Sequence, residues 1–173
     1  DEPVWLTVTR QGHIGRTPGE GNPPRIPARP QESPVAILAA STRDTLTLFT
    51  AEGMGVSLPV HQISKGEAWQ GAGSPWSALT RLQDGDVVAA LAMPASPPEG
   101  AVFFVTAQGR VKRMLPEELP GVGREPIPII RLDEGDWLVD VVWVTDKDEV
   151  VLGTAGGQGI RFAVAEVRPT GAS

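Results

Sequence analysis

The sequence predicts an all-β, propeller-like chain built from about four repeated β-hairpin blades. Three observations predict it. Twenty glycines and 17 prolines among 173 residues leave little room for long helices and call for many turns. Four stretches share one pattern, an apolar run, then Thr-x-x-Gly, then a short second strand: Val4–Pro18, Thr45–Pro59, Ala101–Leu115 and Glu149–Ala163. Their turn glycines, Gly12, Gly53, Gly109 and Gly157, recur at intervals of 41, 56 and 48 residues, around the ~40–50-residue period of propeller blades.

The third copy shows the design most clearly. An apolar run, Val102–Val105, meets Thr106-Ala107-Gln108-Gly109, and Arg110–Met114 follows. This predicts two antiparallel strands joined by a tight turn, with glycine supplying the positive φ. Between hairpins a second motif recurs. Leu82-Gln83-Asp84-Gly85-Asp86 and Leu132-Asp133-Glu134-Gly135-Asp136 each lead into an apolar strand, and Ser33–Ala40 holds the same place earlier without Gly-Asp. A full unit is a leading strand, a hairpin and a connecting loop. Such a unit buries its apolar faces only by stacking on its neighbours. The first unit has no leading strand of its own, so it must borrow one or leave an edge.

The connecting segments differ. Gly19–Gln31 is proline-rich and carries Arg25 and Arg29; Gly66–Trp76 carries no cation; Pro120–Pro128 carries Arg124. Met93–Gly100 and Asp146–Glu149 are expected as hairpin tips behind the leading strands. Pro59–Ile63 and Leu115–Leu119 have room for one helical turn each.

Composition bounds the chemistry. There is no cysteine, which excludes a disulfide framework, thiolate metal sites and a thiol nucleophile. No apolar run approaches the roughly 18 residues of a membrane span. One domain covering residues 1–173 is expected. Because the chain begins at Asp1, it is expected to be a piece of a longer protein, in a reducing cytoplasm. His13 and His61 stand in different units, and the Asp84/Asp86 and Asp133/Asp136 turns favour capping over calcium ligation. Gly153–Gly159 lacks the Gly-Lys-Ser/Thr of a P-loop. No catalytic residue, metal or cofactor is expected here. Of the five tryptophans, Trp5, Trp137 and Trp143 sit in or beside apolar strands, while Trp69 and Trp76 lie in a loop and are the better surface candidates.

The net charge of −6 opposes a polyanionic partner unless charge is segregated. Arginine dominates the cations; Lys65, Lys112 and Lys147 are the only lysines. Four residues after the turn glycines stand Arg16, Ser57, Arg113 and Arg161. One reading is an exposed polar strand position. The other is a ring of cations on successive blades, following a curved polyanion and interrupted at Ser57.

Four Thr-x-x-Gly hairpins in phase, the run Ile130–Val142 and the closing Glu166-Val167-Arg168-Pro169 together resemble the C-terminal domain of the DNA gyrase A protein and its topoisomerase IV counterpart. The resemblance spans Val4–Gly171. It implies a β-pinwheel, a disc whose blades exchange a strand with their neighbours. It also implies binding and bending of duplex DNA along the rim, with the catalytic core elsewhere in the same polypeptide and the ATPase in a second one. The chain contains no tyrosine, so it supplies no tyrosyl nucleophile. Gyrases carry a Gln-Arg-Arg-Gly-Gly-Lys-Gly heptapeptide after the first hairpin. The corresponding segment here, Asn22–Gln31, keeps two arginines but has prolines where backbone donors would be needed. That departs from gyrase-type wrapping and fits a topoisomerase IV-like or divergent protein.

The expected DNA contacts are Arg10, Arg16, Arg25, Arg29, Arg110, Lys112, Arg113, Arg124, Arg161 and Arg168, neutralising phosphates without reading bases. Strand alternation sends Lys112 and Arg113 to opposite faces. Acidic turns at Asp84, Asp86, Asp133, Glu134, Asp136, Asp146, Asp148 and Glu149 are harmless on a far face and inhibitory on the rim. The alternative is a propeller-like protein-interaction module without DNA affinity.

Overall fold

A computed structural model describes residues 1–82, 86–123 and 125–172. Four antiparallel hairpins form where the sequence places them: β1 (Pro3–Thr9) with β2 (His13–Pro18), β4 (Thr45–Thr50) with β5 (Met54–Pro59), β8 (Ala101–Thr106) with β9 (Val111–Met114), and β12 (Glu149–Gly153) with β13 (Gly159–Ala163). The leading strands are β3 (Pro34–Ser41), β7 (Val87–Met93) and β11 (Leu138–Val144). Two-residue strands β6 (Ser74–Pro75) and β10 (Ile127–Pro128) edge β2 and β5.

Threonine does as much as glycine in each turn. The glycine N–H donates to the threonine carbonyl, at 3.1 Å for Gly12 to Thr9, 2.9 Å for Gly53 to Thr50 and Gly109 to Thr106, and 3.0 Å for Gly157 to Thr154. The next residue's N–H then donates to the threonine hydroxyl, at 3.0 Å for His13, 3.4 Å for Met54, 3.2 Å for Arg110 and 3.1 Å for Gln158. The side chain thus satisfies a backbone donor that the tight turn leaves without a ladder partner. Positive φ at all four glycines, +77° to +93°, completes the turn.

The leading strands do not fold back on the hairpins they precede. β3 pairs with β1, β7 with β4 and β11 with β8, so each pairs with the hairpin before it. Met93–Gly100 and Asp146–Glu149 are therefore crossovers to the next blade, not hairpin tips as the sequence suggested. The exchange supplies the first hairpin with the strand it lacked; among the described residues β12 is the hairpin first strand that receives no leading strand. β3, β7 and β11 also pack against one another in succession.

Among the described residues the core consists of three clusters, each bridging consecutive hairpins. The first joins Leu6, Val8 and Ile14 to Leu46, Leu48 and Val56. The second joins Phe49 to Phe104, Met114, Leu138 and Val141. Its Phe49 and Phe104 rings meet edge to face at 5.5 Å. The third joins Phe103 and Val144 to Val164, with Val150 and Phe162 against it. After three of the hairpins the chain makes one 3-10 turn, at Val60–Gln62, Pro116–Glu118 and Val164–Glu166. The two stretches with room for one helical turn hold the first two. Among the described residues no helix is long and apolar enough to cross a membrane.

Candidate nucleic-acid interface

The four residues that follow the turn glycines by four occupy equivalent register positions. Arg16 pairs across the hairpin with Leu6, Ser57 with Thr47, Arg113 with Phe103 and Arg161 with Val151. Their surroundings differ. Arg16 is half-buried, and its Nε donates to the Ile63 carbonyl at 2.7 Å, at the end of the 3-10 turn after the second hairpin. Arg113 is 8% exposed; it donates to the Val167 carbonyl, at the end of the turn after the fourth hairpin, and pairs with Asp146. Ser57 is buried and shares a 2.7 Å hydrogen bond with the Thr47 hydroxyl. Only Arg161 is exposed, paired with Glu149 at 2.5 Å.

At the first three positions the backbone also forms a short parallel bridge to the chain leaving the next hairpin: Arg16 with Lys65, Ser57 with Val122, Arg113 with Pro169. Gly66 N–H donates to the Arg16 carbonyl at 2.9 Å, Gly123 to Ser57 at 3.2 Å and Thr170 to Arg113 at 2.9 Å. The ring of cations expected on a rim therefore divides. Arg16 and Arg113 are ties between blades, because the bridging segment covers that strand face and offers a carbonyl to the guanidinium. Lys112, on the opposite face as alternation requires, is also buried, and its Nζ donates to the Ile129 carbonyl at 2.6 Å. Burial pushes the Lys112 ammonium pKa down, against a smaller upward effect of Glu118.

The carboxylates bear directly on the remaining cations. Arg10 lies 3.7 Å from Asp86, and Arg110 lies 2.6 Å from Asp133. The Gly-Asp motif accounts for this. It sets the start of β11 against the tip of the hairpin before it, whereas the start of β7 lies between two tips: the Ala51 N–H of the second hairpin donates to the Asp86 carbonyl at 3.0 Å, and the Val87 N–H donates to the Arg10 carbonyl of the first at 3.3 Å. Asp136 accepts from the N–H groups of Gln108 at 3.0 Å and Trp137 at 2.9 Å, and the Ala107 N–H donates to the Trp137 carbonyl at 2.9 Å. Desolvation works against the Asp136 carboxylate. The Thr106 hydroxyl, the Gln108 and Trp137 N–H groups and the Arg110 charge outweigh it and hold its pKa below the usual range.

Arg25, Arg29 and Arg168 are exposed and have no carboxylate within ion-pair distance among the described residues. Arg124 lies outside the described residues. Arg25 and Arg29 sit on a loop tied at both ends. At its start Gly19 N–H donates to the Pro3 carbonyl at 2.9 Å. Toward its end Gln31 N–H donates to the Trp69 carbonyl at 3.0 Å and Arg10 N–H to the Ser33 carbonyl at 2.9 Å. Glu32 accepts from the Thr9 hydroxyl at 2.6 Å and faces His13 Nδ1 at 2.6 Å.

The sequence pattern did not single out Arg131. It is exposed, and with Arg110 and Lys112 it lines a shallow cavity of about 260 Å³ beside Thr170 and Gly171. Its signal was its place just before the Leu132–Asp136 motif, one residue from the buried Ile130. The tryptophans also exchange roles. Trp69 is fully buried and Trp76 lies beneath Gly12, whereas Trp137 is exposed beside the third hairpin's tip. The loop holding Trp69 and Trp76 folds inward against β1 and β2.

A family model described as "DNA gyrase C-terminal domain, beta-propeller" matches residues 101–142 and 148–173. The DNA gyrase A protein of Streptococcus pyogenes serotype M1 is 30% identical over 139 residues, 79% of this chain and 17% of the relative. That of Escherichia coli K12 is 30% identical over 181 residues, 98% of this chain and 20% of the relative. The chain thus spans about a fifth of the length of these relatives. A topoisomerase IV C-terminal domain superposes with a TM-score of 0.80 at 26% identity, covering 99% of this chain and 55% of that one. The Escherichia coli ParC C-terminal domain shares the fold, with a TM-score of 0.79 at 16% identity over 100% of this chain and 71% of that one. With its exchanged strands and in-phase Thr-x-x-Gly hairpins, the chain is a β-pinwheel and belongs to the family of C-terminal domains of the DNA gyrase A protein and topoisomerase IV.

Proposed function

We propose that this chain binds duplex DNA without sequence specificity and bends it, as part of the DNA-cleaving polypeptide of a cytoplasmic type IIA topoisomerase. It would hand a DNA segment to the catalytic core of its own polypeptide, which works with a separate ATPase polypeptide. The observation that carries the reading is the tied loop between β2 and β3. In a family defined by DNA enzymes, it holds Arg25 and Arg29 exposed and free of carboxylates among the described residues. Its prolines give no backbone donors to phosphate, so wrapping as in gyrase is not expected. Phosphate contacts of this kind set position rather than sequence, and selectivity follows DNA deformability.

The second reading, a protein-interaction module, draws on the carboxylates facing Arg10, Arg110, Arg113 and Arg161. Fluorescence anisotropy with a duplex of about 40 base pairs across a salt series separates the two. DNA binding predicts a log–log salt dependence that becomes shallower by about two in Arg25→Ala/Arg29→Ala, one for each phosphate contact removed. No binding at low salt overturns the DNA reading and favours the interaction module.

A further inference from the structure

The loop between β2 and β3 has an exposure pattern of its own. Over residues 21–30, Pro24, Pro27 and Pro30 are half-buried and all the others are exposed. An interval of three is the repeat of a polyproline II helix, which needs no internal hydrogen bonds. The chain runs without a bend through residues 23–27 and bends at Ala28 and Arg29. The prolines at that interval therefore face the body of the protein, and the loop presents Arg25-Ile26 and Ala28-Arg29 to solvent. A groove that recognises polyproline segments grips the prolines themselves, and here those are turned inward. What remains outward is one large apolar side chain between two cations. Ile26 is 50% exposed. The exposed Val139, Val142, Val151 and Ile160 belong to strands β11, β12 and β13, whereas Ile26 stands on a braced loop. Gly19 and Gln31 anchor that loop through the Pro3 and Trp69 carbonyls, and the Ser33 N–H donates to the Gln11 side-chain carbonyl at 3.0 Å. The fixed φ of each proline restrains Ile26 from folding back onto the core.

We propose that Ile26 is a wedge that enters the minor groove of duplex DNA and partly unstacks one base step, while Arg25 and Arg29 hold phosphates on the two strands. The wedge rests on the DNA reading above and adds how the bend is made. Four residues at about 3.1 Å each separate the two arginine backbones by at most about 12 Å. Their side chains can therefore straddle a minor groove about 6 Å wide, one on each rim. Neither guanidinium is drawn away by a carboxylate at ion-pair distance among the described residues. An apolar side chain set between base pairs in this way kinks the duplex toward the major groove, and the unstacking is offset by the contacts the kink permits. A wedge works only if it does not yield, and the prolines and anchors fix this one before DNA arrives. Steps that unstack readily, TA and CA/TG, should be favoured without any base being read.

The test uses the 173-residue chain and a duplex of about 40 base pairs with a central TA step and a dye at each end. Energy transfer between the dyes reads the bend, and anisotropy on the same samples reads affinity. The parent chain should bend the duplex, and distamycin, a minor-groove ligand, should displace it more readily than methyl green, which occupies the major groove. Ile26→Ala should keep the parent Tm, bind within about threefold of the parent and lose about half or more of the bend, with Ile26→Leu restoring it. Arg25→Ala/Arg29→Ala should lose affinity instead. Binding by the parent without a bend, a bend unchanged in Ile26→Ala, or displacement by methyl green alone overturns the wedge and leaves the DNA reading standing. No duplex binding by the parent at low salt overturns both and leaves the outward face of the loop to a protein partner.

Discussion

Arg113 and Arg161 align in sequence yet sit in opposite environments, so their truncation separates a tie between blades from an exposed ion pair. Arg113→Ala removes a side chain that is 9% exposed, donates to the Val167 carbonyl at 3.4 Å and pairs with Asp146. A hydrogen bond from a charged group contributes about 1.5–3 kcal/mol. Asp146 is 67% exposed and regains water when its partner leaves, so no buried charge is stranded. Loss of the aliphatic stem beside Phe103 adds to the cost. The total is about 2–3 kcal/mol, or about 5–10 °C in Tm for a chain of this size. The Arg161–Glu149 pair is 67% and 49% exposed, and Arg161→Ala should cost about 0–1 kcal/mol. Thermal unfolding followed by circular dichroism, with duplex binding measured on the same samples, reads both quantities. Equal Tm losses in the two variants would refute the assignment of Arg113 as a tie. So would an Arg113→Ala protein of unchanged Tm whose DNA affinity had fallen.

Two further perturbations follow from the turns. Gly12 and Gly109 both have positive φ, but a Cβ on Gly12 would lie 2.5 Å from the Trp76 ring while one on Gly109 meets nothing within 4 Å. Gly109→Ala should therefore cost only the left-handed backbone penalty, about 1–2 kcal/mol, and Gly12→Ala distinctly more; urea midpoints at constant m give the comparison. Acid should destabilise the chain through Asp136 and Asp148, the latter held low chiefly by the Thr145 N–H and hydroxyl. Both carboxyls have folded pKa values below their unfolded ones. Their contribution is present above an unfolded pKa of about 3.9 and is lost as pH falls through the lower folded values. Tm should hold between about pH 7 and 5 and drop below about pH 4, less steeply in Asp136→Asn; identical acid limbs would remove Asp136 from the account.

The hairpins were legible because their signals are local. Thr-x-x-Gly specifies a turn that closes on its own backbone and hydroxyl, and an apolar run on either side specifies the strands. The Gly-Asp motif was legible as a turn, but not as the clasp joining Asp136 to the tip at Gln108, 28 residues earlier. Strand exchange cannot be read from the same residues, since β11 would show the same apolar pattern whether it paired with β8 or with β12. The Arg16 and Arg113 positions misled for a related reason. A polar residue on a short strand implies solvent, and the segment that buries each one comes from the chain beyond the following hairpin. Trp69 and Trp76 lie in a proline- and glycine-containing loop, which composition assigns to the surface. Their burial follows from Ser74–Pro75 adding to β2, a two-residue pairing too short to leave a periodic signal.

The contrast between covered and uncovered arginines decides where DNA affinity can reside in such a fold. Within the repeat, the position four residues after the turn glycine is covered in every blade that has a successor, so an arginine there is used up in holding the stack together. The hairpin tips are little freer, because the turns entering β7 and β11 bring a carboxylate against Arg10 and against Arg110. Architecture thus consumes the cations that the repeat itself encodes. On the DNA reading proposed above, charge available to phosphate comes from segments the repeat does not constrain, and the loop between β2 and β3 is such a segment, with Arg25 and Arg29 exposed between anchored ends. If that reading holds, DNA affinity and blade stacking change independently: substitutions in that loop should lower duplex affinity at constant Tm, while those at the covered arginine positions should lower Tm first. An alignment of repeats alone would assign all of these arginines one role.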